Sequence, residues 1–279
     1  MQAWHPHLIE LLFYIFSGTH RRKGLPISSP NPSAQSDPGD LGLSLNRRYA
    51  SLTLLVLLIA AEITLVVLDA WISYGWVFSD RRTRDLFSLR AENSLGTWFS
   101  SVQLLMLAAV LGVTMVHGRQ ASRRSPAWWA TGWLGVICLY VSIDEVAQIH
   151  ERIGRATRLS GLADSFPSHP WLPVLSPLLV VTAVLIVLLV ARYLKSFRAR
   201  LLVSLGLVVW IIAIGVEFVQ GLPGAHAWLA DAIPLSRRFV DHFSRVIEEF
   251  FEMLGCSLLL TGFLTDLLDR VNRVEVKFV

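Results

Sequence analysis

The stretch VDHFSRVIEEFFEMLGCSLLLTGFLTDL, residues 240–267, decides how this chain is read. At 1.5 Å rise per residue it is long enough to cross a hydrocarbon core of about 30 Å as one helix. Its first half carries Asp241, His242, Arg245, Glu248, Glu249 and Glu252. At 100° per residue these fall within an arc of about 120°. The rest of the surface is Phe, Leu, Ile, Val and Met, with Gly255 allowing close helix approach. A helix with one polar stripe on an otherwise apolar surface belongs inside a membrane bundle, its stripe turned toward other helices.

Working outward, five more apolar runs are long enough to cross in the same way. They cover about 50–78, 95–117, 127–149, 171–194 and 201–220. Across its 279 residues the chain is 53% hydrophobic, only 16% charged, and has a mean hydropathy of +0.53. Soluble domains carry about a quarter of their residues as charges. The fold class is therefore all-α: a polytopic membrane protein with a bundle of about six transmembrane helices over residues 50–267. Cys138 and Cys256 both fall inside spans, which argues against a disulfide framework or a zinc-thiolate site. No internal repeat of the inverted-transporter kind is visible.

Ahead of the spans, the apolar run Leu8–Phe16 precedes Arg21, Arg22 and Lys23. A secretory signal has the opposite order, so residues 1–23 read as an interfacial helix, with a misplaced translation start as the alternative. Residues 24–46, rich in Pro, Ser, Gly and Asp, read as a disordered linker. Residues 268–279 form a tail. With the N-terminus inside, the inner segments hold 15 Lys and Arg against 10 in the outer ones. That bias places both termini in the cytoplasm, with a cell inner membrane as the expected location. The basic loops and the net charge of +4 are topology and lipid-headgroup signals. Membrane lipids are the expected partners, and nucleic acid is not.

Carboxylates at Glu62, Asp69, Asp144, Glu145, Glu151, Glu217, Glu248, Glu249 and Glu252 interrupt the apolar runs. A centrally placed charge costs about 2.5–3.5 kcal/mol to insert, so these groups must face each other, water, a cation or the bundle interior. Because successive spans alternate direction, Asp144, His150, Glu151, Glu217, His242, Glu248 and Asp69 gather toward one end of the bundle. On span three, Tyr140, Asp144, Gln148 and Glu151 share an arc of about 80°. Glu62 lies about 10 Å deeper than Asp69 by helical rise.

Three readings of this belt follow. Carboxylates with imidazoles are a ligand set for a divalent metal such as Fe, Mn, Zn or Ca. The metal ligands would then be Asp144, Glu145, His150, Glu151, Glu217, His242, Glu248 and Glu252, with His226 in the loop GLPGAHAW as a further candidate. Glu248, Glu249 and Asp144 would be the catalytic carboxylates, supplying a general base toward a lipid or a small molecule in hydrolytic or redox chemistry. The spacing matches neither the Glu-x-x-His pairs of di-iron bundles nor HExxH. The second reading is a proton or cation pathway of a transporter or channel, with Glu62 and Asp69 as its steps. The third is structural: the acids pair with Arg152, Arg237, Arg238 and Arg245 as helix-end ion pairs. The tryptophans near span ends form an aromatic belt, and His117 and His169 read as interfacial.

The segments SIDEVAQIHE (142–151) and EEFFEMLG (248–255), with ENSLGTWFSSVQLL (92–105) ahead of them, resemble a pattern in uncharacterised bacterial multipass membrane proteins. The resemblance spans about half the chain. It implies that Asp144, Glu145, His150, Glu151, Glu248, Glu249 and Glu252 act as one site, and it carries no activity with it.

Overall fold

The computed structural model of the chain describes residues 47–121, 127–160, 169–222, 224, 228 and 236–271. The interfacial helix expected at 1–23, the linker at 24–46, His226 and most of the tail lie outside them. Among the described residues the elements are all helical. Helix α1 (Arg47–Leu68) continues as a π-helical turn (Asp69–Tyr74), followed by the short α2 (Arg81–Phe87). Then come α3 (Leu95–Ala121), α4 (Ala127–Ala147), α5 (Ile149–Leu159), α6 (Leu172–Arg192), α7 (Phe197–Gln220) and α8 (Arg237–Arg270).

Six of these are long and apolar enough to cross a membrane: α1 with its π turn, α3, α4, α6, α7 and α8. The all-α, six-span expectation is met, with shifted ends. The first span stops at Tyr74 rather than Phe78, and the third at Ala147 rather than Ile149. The fifth begins at Phe197, and the sixth extends from Arg237 to Arg270.

Helix α8 packs on α7, α3 and α1; α3 packs on α4, α4 on α6, and α6 on α7. The ring of α3, α4, α6, α7 and α8 closes around a core that includes Leu107, Leu111, Leu134, Cys138, Ile186, Leu259, Leu260 and Phe263. Outward-facing Val56, Ile63 and Val67 on α1, and Val180, Val184 and Val187 on α6, are exposed, as lipid-facing positions are. Hydroxyls within the spans return to the carbonyl one turn back: Thr114 to Val110 (2.7 Å), Thr131 to Ala127 (2.8 Å) and Thr182 to Leu178 (2.8 Å). An apolar surround leaves such groups no better acceptor.

The tightest helix contact is α7 against α8. A Cβ at Gly206 would stand 3.0 Å from the Gly255 carbonyl oxygen, and one at Gly262 would stand 3.0 Å from the Val203 nitrogen. Only small residues let two backbones approach this closely. The contact fixes the depth of Glu217 on α7 relative to Glu248 and Glu252 on α8.

Candidate functional site: an acid–histidine end of the bundle

Helix α4 does not run on through Gln148. That residue takes a left-handed conformation, φ 54°, and α5 starts one residue later in a new direction. A non-glycine residue held there stores strain that the surroundings must compensate. The compensation is visible: Asp144 reaches across the break with both carboxylate oxygens. Oδ1 accepts the His150 backbone N–H at 2.7 Å, and Oδ2 meets Nδ1 of the His150 ring at 2.8 Å. The continuous stripe Tyr140–Asp144–Gln148–Glu151 expected from the sequence is therefore interrupted. The turn brings His150 back onto Asp144 instead.

With Nδ1 engaged by Asp144, Nε2 is the ring nitrogen left to take a proton, a metal or a substrate. The hydrogen bond to Asp144, chiefly, holds His150 above the ordinary imidazole range, although its partial burial works the other way. On the same side, Glu92 in the segment before α3 is held above the ordinary carboxylate range. Removal from water is the larger cause, and the hydrogen bond and charge of Glu151 add to it.

Deeper in the bundle, Glu145 of α4, Glu217 of α7 and Glu248, Glu249 and Glu252 of α8 lie within electrostatic reach of one another. All five are half-buried. Glu248 accepts from Gln220 Nε2 at 2.7 Å, and Gln220 also donates to the Ser244 carbonyl. Exposed Arg245 is the cation that reaches Glu217, Glu248 and Glu249. His169, which the sequence places at the interface, is instead buried beside this group. Its Nε2 lies 3.7 Å from Glu217 Oε1, and its ring stacks on Phe218. Below the glutamates, Cys138, Val141, Trp210, Leu259 and Phe263 line a seam of about 10 Å³. That volume holds about one water at most.

A second acid–histidine pair lies on the α1 side of α8. His242 Nε2 stands 2.6 Å from Asp69 Oδ2, and Asp69 Oδ1 accepts the Leu89 backbone N–H at 3.1 Å. Both side chains are buried. Asp69 opens the π turn, an element often found at functional positions. Glu62, two turns deeper, is fully buried. Its Oε1 accepts from Gln103 Nε2 (2.9 Å) and Ser257 Oγ (2.6 Å), while Oε2 and Gln103 Oε1 have no partner among the described residues.

The single ligand set expected from the sequence is thus divided. Asp144, Glu145, His150, Glu151, Glu217, Glu248, Glu249 and Glu252 share the α4–α7–α8 side, whereas His242 belongs with Asp69. Glu62 forms a third, isolated group. Among the described residues no three His, Cys, Asp or Glu side chains converge in the arrangement of a metal cage. No spacing or residue type in the sequence signals Ser257 as a Glu62 partner, nor the Glu92–Glu151 contact. Both join residues far apart in the chain.

Fold and site together define a multipass membrane protein with buried acid–histidine pairs. A family model described as a domain of unknown function (DUF8692) matches residues 50–267, and the chain belongs to that family. No curated protein and no solved structure matches it.

Proposed function

We propose that the chain is a membrane-embedded acid–base enzyme, with Asp144–His150 as its working pair. The observation that supports this reading is the double hold of Asp144 on His150 across the α4–α5 break. A carboxylate on Nδ1 fixes the tautomer and orientation of an imidazole, so that Nε2 can remove and return a proton. Glu145, Glu151 and Glu217 stand within electrostatic reach of that ring. They would position the substrate or a cation, and Glu248 and Glu249 would supply a further carboxylate. The substrate class is a lipid or a small molecule entering from the acid–histidine end of the bundle. The excess of Lys and Arg in alternate loops supports a setting in which this end lies outside the cytoplasm of a bacterial-type inner membrane, with both termini inside.

A divalent metal fits the same reading. Metal-bound histidines commonly carry a carboxylate on their other nitrogen, as His150 does. One imidazole with several carboxylates suits Mn, Fe or Zn, which would polarise a substrate oxygen or activate a water. Proton or cation transport is the alternative. Its support is the Glu62–Gln103 pair, whose two unpartnered oxygens lie deep in the bundle.

Full-length protein in lipid nanodiscs, incubated with a total polar lipid extract and analysed by mass spectrometry, tests the proposal. We expect a product that accumulates with the native chain and falls at least about a hundredfold with His150→Gln, the scale of a lost general base. Identical product profiles for the two proteins overturn it. Elemental analysis of the same samples decides the metal, which Glu217→Gln and Glu248→Gln should then release.

A further inference from the structure

We infer that the cavity between the α1–α2 connection and the start of α8 binds a phosphate group. The group would be carried by an anionic lipid headgroup or by a soluble phosphoryl compound. The inference stands apart from the proposed chemistry at Asp144–His150. The cavity has a volume of about 460 Å³, within the range of small-ligand sites. Four arginines line it, Arg81, Arg84, Arg90 and Arg238, together with Tyr74 and Trp76. His242 also borders it, bound through Nε2 to Asp69, with Nδ1 as the open nitrogen.

The arginines are not equivalent. Arg90 pairs with Asp241 at 2.8 Å, and Arg81 with Asp85 at 3.4 Å. Arg84 and Arg238 make no such ion pair among the described residues. Asp80 feels the charge of Arg84, but its Oδ2 caps α2 by accepting both the backbone N–H and the hydroxyl of Thr83, each at 2.8 Å. The two guanidiniums pack on aromatic faces instead. Arg84 lies 3.8 Å over Trp76, and Arg238 lies 5.2 Å from the same ring and 5.0 Å from Tyr74. Arg238 is further tied to the Tyr74 carbonyl at 3.2 Å. Stacking holds a guanidinium plane while leaving its in-plane N–H groups available, the form in which arginine recognises phosphate.

A second observation points to an acceptor. Arg84 Nε is buried and has no hydrogen-bond partner among the described residues. An unsatisfied charged donor is costly, and a phosphate oxygen would satisfy it. Trp76, which carries both cations, is itself held in a left-handed backbone conformation, φ 56°. The surrounding surface sets the depth. Trp76, Val77, Phe78 and Leu86 are exposed apolar side chains beside exposed Arg81 and Arg82, the composition of a bilayer–water interface. A headgroup phosphate sits at that level.

The full chain in an uncharged detergent tests this by thermal unfolding with phosphatidylglycerol, phosphatidylcholine, glycerol 3-phosphate and inorganic phosphate as probes. Phosphatidylglycerol should raise the melting temperature, with an apparent affinity about tenfold or more weaker in Arg84→Gln and in Arg238→Gln. Arg119→Gln at the opposite end of α3 should leave it unchanged. If glycerol 3-phosphate or inorganic phosphate produces the same arginine-dependent shift, the ligand is soluble; if only the phospholipid does, it is a headgroup. Arg84→Lys separates fork recognition from bulk charge and should recover little of the affinity. No probe giving an arginine-dependent shift, with variants that match the native chain in circular dichroism and elution, overturns the inference.

Discussion

Asp144 holds His150 twice, at the backbone N–H and at ring Nδ1, across a break at Gln148 that ends one helix and begins another. The same carboxylate therefore caps a strained turn and orients an imidazole. Asp144→Asn separates these roles, because its side-chain oxygen can still accept the backbone N–H. The expected outcome is a folded protein whose His150 titrates lower, toward about 6.5, the ordinary imidazole value. Histidine NMR titration of selectively labelled protein checks it, and an unchanged His150 midpoint would show that the ring is held by something else.

Stability should follow pH with the corresponding sign. A histidine that binds its proton more tightly when folded stabilises the fold fully below its unfolded value, about 6.5. That contribution is lost as pH rises through the folded value. Glu92, also raised, acts in the same direction: its contribution is present below the unfolded value and lost as pH rises through the folded one. Melting temperatures between pH 5 and pH 8.5 should fall toward the alkaline end in the native chain. The slope should flatten in Asp144→Asn. Parallel profiles for the two proteins count against the assignment.

What the sequence made legible was set by periodicity. Apolar run lengths located all six spans, and alternation of span direction brought Asp144, Glu217 and Glu248 to one end. Partnership was not legible. His242 shares a helical stripe with Glu248, yet it pairs with Asp69 of the first span, a partner that no local spacing on α8 announces. Gln148 looked like one more member of a polar stripe, since nothing in its residue type announces a left-handed break. His169 follows a proline-rich stretch and read as interfacial, because its burial against Phe218 is made by a distant helix.

The buried pair Asp69–His242 should matter to the fold more than the half-exposed Asp144–His150. Asp69→Ala leaves the His242 ring and the Leu89 N–H without their buried acceptor. Breaking one side of a buried pair costs about 3–5 kcal/mol. The double variant with His242→Ala should cost less than the sum of the single changes, because each single change already removes the shared contact. Denaturation by urea or by mixed detergent, read through tryptophan fluorescence, measures both. Simple additivity would mean that the two residues do not stabilise each other.

Close approach of α7 and α8 sets the depth of the glutamates. Gly206→Ala places a methyl group about 3 Å from the Gly255 carbonyl oxygen and the Leu259 nitrogen, which are backbone and cannot rotate aside. Overpacking of this kind costs about 1–3 kcal/mol. The helices should separate, carrying Glu217 away from Glu248. Gly112→Ala, where an added Cβ meets nothing within 4 Å, is the control. Comparable destabilisation by both changes would point to a general glycine effect rather than this contact.

Glu62 offers the sharpest distinction between two substitutions. Its Oε1 accepts two hydrogen bonds, while Oε2 and the neighbouring Gln103 Oε1 are acceptors without a donor among the described residues. Glu62→Gln can keep an oxygen for Gln103 Nε2 and Ser257 while presenting an amide N–H₂ to the unpartnered Gln103 oxygen. The variant should be as stable as the native chain or more so. Glu62→Ala takes the acceptor from the buried Ser257 hydroxyl, at about 1–3 kcal/mol for an unsatisfied group, while Gln103 Nε2 keeps Ser257 Oγ at 2.8 Å. Thermal unfolding of the two variants side by side is the measurement. Equal losses would show that Glu62 is needed there as a charge, which returns weight to the transport reading of this residue.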